Sequence, residues 1–331
     1  MHRFSGYVRA SESSRLARFL LVGVLFLFAI ARPLGAQSKA DAGVPPCVPS
    51  ELNSLIVTDG RTVHVSELRE GLDRSGSGGA NASVSDPARK PSDAQERKEA
   101  HEVFAKEARR GNPAGMVNLA VSSLAGWGGK LNAGEALYWL HAAADREYGP
   151  AFYDLGIVYF KGCGVRRDMA EAFHFFELGA KVGDAAAQVN LGYFYDRGLG
   201  VVQDRSAAAH WYLLASESGE AQAQYNLADL YLHGEGVAKD EPTAFAWFQK
   251  AALQGHTGGR MMMASMLATG RGTSKDLASA YFWVFASVLQ GDNRGVPLLG
   301  TLERQLSGSE VQEAKARAQL LLAGLQASKN K

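Results

Sequence analysis

His174 and His210 stand 36 positions apart, a separation at which many other residue types in this chain also recur. Two imidazoles can contribute to a zinc site, but such a site takes four ligands, and this pair does not complete one. A repeated, solvated outer-face position is the simpler account, so neither a metal nor a cofactor is expected. Cys47 and Cys163 are the only cysteines. In an oxidising compartment they could pair, but Cys163 lies between Gly162 and Gly164, where any small residue would serve, and the sequence does not show that the two meet. The chain has no His-Glu-x-x-His, no phosphate-binding loop and no dinucleotide fingerprint after a strand. Its one Ser-x-x-Lys, from Ser328 to Lys331, lies in a terminal tail. No residue is therefore assigned a catalytic role. Lys and Arg number 35 against 34 acidic residues, a formal charge of +1, which offers no electrostatic reason to bind nucleic acid.

The elements that must position any functional side chain are set by the 36-residue period. Stepping from Leu155 reaches Leu119, Leu191, Leu227, Met263 and Leu299; the next position holds Gly156, Ala120, Gly192, Ala228, Ala264 and Gly300. Tyr159 recurs as Tyr195 and Tyr231, Gly162 as Gly198, Gly234 and Gly270, Asp168 as Asp204, Asp240 and Asp276, and Phe175 as Trp139, Trp211, Trp247 and Trp283. Within a unit, Ala151, Leu155 and Tyr159 fall four apart on one helical stripe. Gly162 and Gly164 then supply a turn with φ > 0. Asp168 with Glu171 forms a capping box that starts a second helix, which carries Ala172, Phe175 or Phe176, and Ala180 and stops at Gly183. A glycine inside a helix costs about 1 kcal/mol relative to alanine, so Gly156, Gly192 and Gly300 imply close approach of a neighbouring helix. A two-helix unit cannot bury both faces alone, and the aromatic at the second-helix anchor is expected to fill the seam between stacked units.

The stretch from Ala187 to Gly219, AQVNLGYFYDRGLGVVQDRSAAAHWYLLASESG, resembles the Sel1-like repeat, a relative of the tetratricopeptide repeat. The resemblance runs from about Ala100 to the C-terminal helix, with Asn132, Glu147, Met263 and Thr273 departing from the consensus. It implies an all-α, right-handed α-solenoid of helix-turn-helix repeats and a non-enzymatic adaptor that binds a protein or peptide. By analogy with tetratricopeptide repeats, the first helices line a concave surface made by Tyr153, Ile157, Phe160, Lys161, Tyr193, Asp196, Arg197, Tyr225, Asp229 and His233, together with Val189. Aromatic side chains with a few charges suit a protein or peptide contact. Two other classes stay open: a cell-wall or β-lactam hydrolase, whose cysteine-rich relatives carry a cysteine pair per repeat that this chain lacks, and a secreted carbohydrate- or immunoglobulin-binding factor.

In chain order, residues 1–36 carry Arg3, Arg9, Arg15 and Arg18, a largely apolar run from Phe19 to Ala31, and Leu34 and Ala36 before Gln37. That pattern reads as a signal peptide for periplasmic or secreted delivery, luminal in a eukaryote, and is too short for an ordinary spanning helix, so no membrane span is expected after cleavage; an uncleaved anchor, with Arg32 directly after the apolar run, is the alternative. Residues 37–96 form a flexible arm with a small β-hairpin near 55–65 around Asp59 and Gly60. Repeats occupy 97–308: a half unit, five full units and a terminal first helix. A capping helix over 309–331, started by Ser309 and Gln312, presents Val311, Ala314, Ala318, Leu321 and Leu325 on one face to the end of the stack.

Overall fold

The computed structural model describes residues 94–329, with side chains through Gly324. The signal peptide expected at 1–36, the hairpin expected near 55–65 and Cys47 lie outside the described residues. Thirteen α-helices follow one another, with no strand among the described residues. They are α1 (Ala94–Arg109), α2 (Pro113–Leu124), α3 (Ala133–Ala144), α4 (Gly149–Lys161), α5 (Met169–Lys181), α6 (Ala185–Arg197), α7 (Arg205–Glu217), α8 (Ala221–His233), α9 (Glu241–Leu253), α10 (Thr257–Thr269), α11 (Leu277–Leu289), α12 (Val296–Glu303) and α13 (Gly308–Lys329), with a 3₁₀ turn at Asn293–Gly295 before α12. The first helix begins at Ala94 rather than Arg97. From α2 to α11 the helices alternate as first and second members of five units.

The hairpin inside each unit is closed twice. Asp168 Oδ1 accepts from the N–H groups of Ala170 and Glu171 at 3.0 and 3.1 Å, and Asp204, Asp240 and Asp276 cap their helices in the same way. The expected reciprocal bond from Glu171 is replaced: the Asp168 N–H donates to the Tyr159 carbonyl at 3.0 Å, and Asp204, Asp240 and Asp276 donate to Tyr195, Tyr231 and Leu267 at 2.9 Å. The cap residue therefore ties the start of the second helix to the end of the first. The one reciprocal box among the described residues, at α13, falls two residues before the position expected. Ser307 N–H donates to Glu310 Oε2 at 2.7 Å and Glu310 N–H to Ser307 Oγ at 3.3 Å, because the charged Glu310 accepts more strongly than the Gln312 amide.

The second helices stop in the left-handed region at Gly183, Gly219, Gly255 and Gly291, all with positive φ. Glu147 occupies the same place in the first unit and is the only non-glycine with positive φ among the described residues, at 55°.

Packing inside a unit corrects the expected aromatic anchor. A Cβ on Gly156 would meet the Phe176 ring at 2.5 Å, and one on Gly192 the Tyr212 ring at 2.7 Å. The small first-helix position thus receives the ring one residue after the tryptophan. Leu140, Phe176, Tyr212, Phe248 and Val284 occupy that second-helix position and are buried throughout. Trp211 and Trp247 remain half-exposed. Trp247 lies with Tyr231 where two core clusters meet, and its outer side carries the Lys250 ammonium 3.7 Å from the ring centroid. The seam assignment holds for Trp247, but the deepest aromatic is its neighbour. At Gly300 a Cβ would meet nothing within 4 Å, so close packing does not extend to α12.

Units are sealed to each other by a buried polar position on the first helix. Gln188, Gln224 and Arg260, one per unit, donate to the carbonyls of Ala180, Ser216 and Ala252 at 3.4, 3.2 and 3.2 Å. Each adds a side-chain donor to a carbonyl at the C-terminal turn of the preceding second helix, which already accepts from the N–H of Gly183, Gly219 or Gly255, and so ties the next first helix to that turn. At the far end α13 buries Val311, Ala314 and Ala318 and packs on α11, as expected of a terminal cap.

Two substitutions test this packing. Tyr212→Ala removes a fully buried ring and should cost about 3–5 kcal/mol in urea unfolding, whereas the half-exposed Trp211→Ala should cost clearly less. Glu147→Gly should raise stability by about 0.5–1 kcal/mol, because relief of a strained left-handed residue outweighs the added chain entropy of glycine. A lowered midpoint for Glu147→Gly would mean that the αL geometry is not strained.

Candidate functional site

The first helices bring together only part of the expected surface. Tyr193, exposed on α6, lies beneath the Arg197 guanidinium, 5.9 Å from ring centroid to Cζ. Asp196, on the same turn, accepts from Arg205 at 3.3 Å, and Arg205 also reaches Glu235 at 3.2 Å, past the end of α8. On α8, Asp229 pairs with His233 at 3.4 Å. Burial holds the Asp229 carboxyl above its ordinary range, against the opposing pull of His233, with the charges of Asp196 and Arg197 also felt there. Tyr193, Asp196, Arg197, Arg205, Asp229, His233 and Glu235 therefore form one charged and aromatic patch across two units.

Tyr225 belongs to a second group beside it. Its ring tilts against Phe248 at 5.5 Å and against His256 at 4.8 Å between centroids. The His256 Nε2 lies 3.1 Å from Gln222 Oε1. Burial raises the Tyr225 phenol, Asp229 adds to the rise and Arg294 opposes it.

The other expected residues are placed differently. Tyr153 and Ile157 are buried on α4, Lys161 is half-buried, and Phe160 turns into the seam, where it meets Phe194 edge-on at 5.5 Å. His174 and His210 are both exposed on second helices. Among the described residues no three His, Cys, Asp or Glu side chains gather closely enough to hold a metal, and no helix is long and apolar enough to cross a membrane. Cys163 is fully buried and joined in a disulfide.

One polar repeat position of the first helices, inside the exposed face, is marked by the period but carries no expectation in the sequence reading. Asn118, Asp154, Asn190 and Asn226 share one repeat position on consecutive first helices. Asn226 accepts from Gln222 Nε2 at 2.9 Å, and Asn190 donates back to the Ala186 carbonyl at 2.9 Å. Arg205 and Glu235 were not identifiable from first-helix positions because they come from the start of a second helix and from a turn.

The family model described as Sel1 repeat matches residues 113–148, 150–184, 185–220, 221–256 and 259–292. Among solved structures, the chain is similar to a protective antigen present in uropathogenic Escherichia coli strains and displaying an SLR fold: identity is 29%, the TM-score is 0.62, and the match covers 70% of this chain and 49% of that one. The chain thus spans about half the length of that antigen. It is also similar to a Sel1 repeat protein from Oxalobacter formigenes, with 25% identity and a TM-score of 0.58 over 68% of this chain and 92% of that one. No curated protein matches the chain.

The geometry at His256 generates a pH dependence. Its Nδ1 accepts from the Gly259 N–H at 3.0 Å as the N-cap of α10, which requires the neutral ring. Burial pushes the ring's pKa below the ordinary histidine value. A histidine depressed in the folded state contributes stability that is complete above about pH 6.5 and is lost as pH falls through that value toward the folded pKa. His256→Asn keeps a capping oxygen but does not titrate. Urea midpoints from pH 8 to pH 5 should fall more for the parent than for this variant, by up to the roughly 0.5–2 kcal/mol of an N-cap. Parallel curves would exclude His256 as the titrating cap.

Proposed function

Because the chain belongs to the Sel1 repeat family, whose members commonly serve as protein–protein interaction scaffolds, we propose that it is an exported, non-enzymatic scaffold. Its partner is a protein or peptide bound on the face of the first helices. The observation that carries this reading is the patch running from Tyr193 to His233, where an exposed aromatic and both signs of charge from consecutive units share one face. An aromatic anchor flanked by arginine is the side-chain chemistry that dominates interface hot spots.

Export is supported by the arginine-flanked apolar segment of residues 1–36. The disulfide at Cys163 supports it independently, since such bonds persist in oxidising compartments. That the Escherichia coli relative is a protective antigen points the same way.

The test is site-specific photo-crosslinking in the source cell's exported fraction, with the photoreactive residue placed at 193 or, as a control on a second helix, at 210. Position 193 should capture a discrete partner that position 210 does not. Capture from 210 alone, or equally from both, would move the binding surface elsewhere. With that partner purified, Tyr193→Ala should weaken binding by about 2 kcal/mol, roughly thirtyfold, with little change in melting because the ring is exposed. Tyr225→Ala should weaken binding and also lower the melting midpoint, since its ring packs on Phe248. Turnover of a chromogenic β-lactam, or retention on a glycan array, by the pure protein would instead support one of the other two classes.

A further inference from the structure

The charges on the open face of the third and fourth units do not balance within the fold. Arg197 pairs with Asp196 at 3.2 Å, and Arg205 reaches Asp196 at 3.3 Å and Glu235 at 3.2 Å, so two guanidinium groups are held by two carboxylates. Toward the fifth unit, Arg294 is gripped by both oxygens of Asp292 at 2.8 and 2.7 Å. Asp229 is the carboxylate left over. Its one ion-pair neighbour among the described residues is His233, which carries charge only when protonated. Even that contact is weak: the His233 Nδ1–H donates to the Asp229 backbone carbonyl at 2.9 Å, and Asp229 Oδ1 stays 3.4 Å away.

A half-buried carboxylate without a permanent cation is costly to ionise, and burial accordingly holds this group above the ordinary carboxylate range. His233 and Arg197 attract it and Glu235 and Asp196 repel it, but Arg197 is already committed to Asp196. Stacking sets an aromatic surface beside this charge. Tyr193 stands at the same repeat position on α6 as Asp229 on α8. Arg197, whose charge is felt at Asp229, lies over the Tyr193 ring, so ring and carboxylate share one neighbourhood. Tyr193 is 38% exposed and the Asp229 side chain 44%, which leaves both open to a ligand. The other units carry Val121, Ile157 and Ser265 at this position, so the pairing of ring and carboxylate occurs once in the stack.

A lysine or arginine side chain fits the pair, because its aliphatic stem can cover the ring while its charged head reaches the carboxylate in a charge-assisted hydrogen bond. An acidic side chain would first have to displace Asp196 or Glu235 from an arginine. We propose that the bound protein or peptide presents a basic side chain to Asp229, seated on the Tyr193 ring where the third and fourth units join. This rests on the reading that the first-helix face binds peptides, and adds the charge of the residue taken there. The formal charge of the whole chain is +1, so a preference for basic peptides would come from this site and not from a general field.

The probe is a displayed library of short random-sequence peptides, selected at neutral pH on the full chain and its variants. Peptides retained by the parent should be enriched in Lys and Arg over the input. Asp229→Asn should erase that excess, and Asp229→Lys should replace it with an excess of Asp and Glu. For one retained peptide made synthetically, exchanging its basic residue for Gln and introducing Asp229→Asn should each weaken binding about tenfold, and the two together no more than either alone, the mark of a direct pair. The exchange on the peptide reads the same pair without touching the fold. Retained peptides with no basic excess, or an excess that survives Asp229→Asn, would overturn the proposal. If such peptides still lose binding with Tyr193→Ala, the scaffold reading stands and only the basic contact falls. Retention of no peptide, or of none that Tyr193→Ala weakens, would instead remove the first-helix face as the binding surface and this contact with it.

Discussion

The stack depends on a turn that has no room for a Cβ. The second turn glycine of the third, fourth and fifth units, Gly200, Gly236 or Gly272, sits in the left-handed region, and a Cβ there would fall inside contact distance of the backbone of Met169, Arg205 or Glu241. Those three residues begin the second helix of the preceding unit. A backbone-to-backbone contact of this kind leaves no slack in register, because any side chain at the glycine would push the units apart. A Cβ on Gly164 would likewise run into the start of the preceding second helix, at Ala133, but against its Cβ rather than its backbone.

Fixed register makes the first-helix face periodic. Asp196 and Asp229 reach one electrostatic neighbourhood because their helices stack with a constant offset, and Arg205, at the start of α7, can join Asp196 to Glu235 across the turns. The surface is therefore composed by stacking rather than by any local motif, which is the usual way a solenoid builds a binding face. The buried polar position on the opposite side of the first helix contributes to the same rigidity. Arg260, fully buried, donates to the Ala252 carbonyl and to Gln290. It sits at the negative end of α9, where a cation with no acidic partner is favoured by the helix dipole and the terminal carbonyls, although burial still lowers its pKa.

How much was legible in the sequence follows from the same division. Local chemistry was readable residue by residue: aspartate N-caps, left-handed glycine stops and the Gly156 and Gly192 contacts all follow from backbone and capping rules that act within a few positions. The choice between Phe175 and Phe176 as the buried ring was not readable, since adjacent residues on a helix differ by only about 100° and both fall near the apolar stripe. Likewise Glu171 looked like half of a capping box, but the partner that took the cap N–H, the Tyr159 carbonyl, lies nine residues back and becomes available only when the hairpin closes.

The sequence by itself determined the fold, because a 36-residue recurrence of Leu, Gly, Asp and aromatic residues leaves two stacked helices as the unit that buries all of them. It also marked the candidate face to within a helix, through the period that aligns Tyr153 with Val189 and Tyr225. Which of those residues meet solvent was decided only by the tertiary structure. Exposure is a property of what lies opposite a side chain: Tyr153 meets the Phe176 ring and Phe160 the Phe194 ring, whereas Tyr193, Arg197 and His233 are left open. Periodicity fixes which face of its helix a side chain occupies; how closely the rest of the chain approaches that face is a sum over long-range contacts that no local spacing encodes.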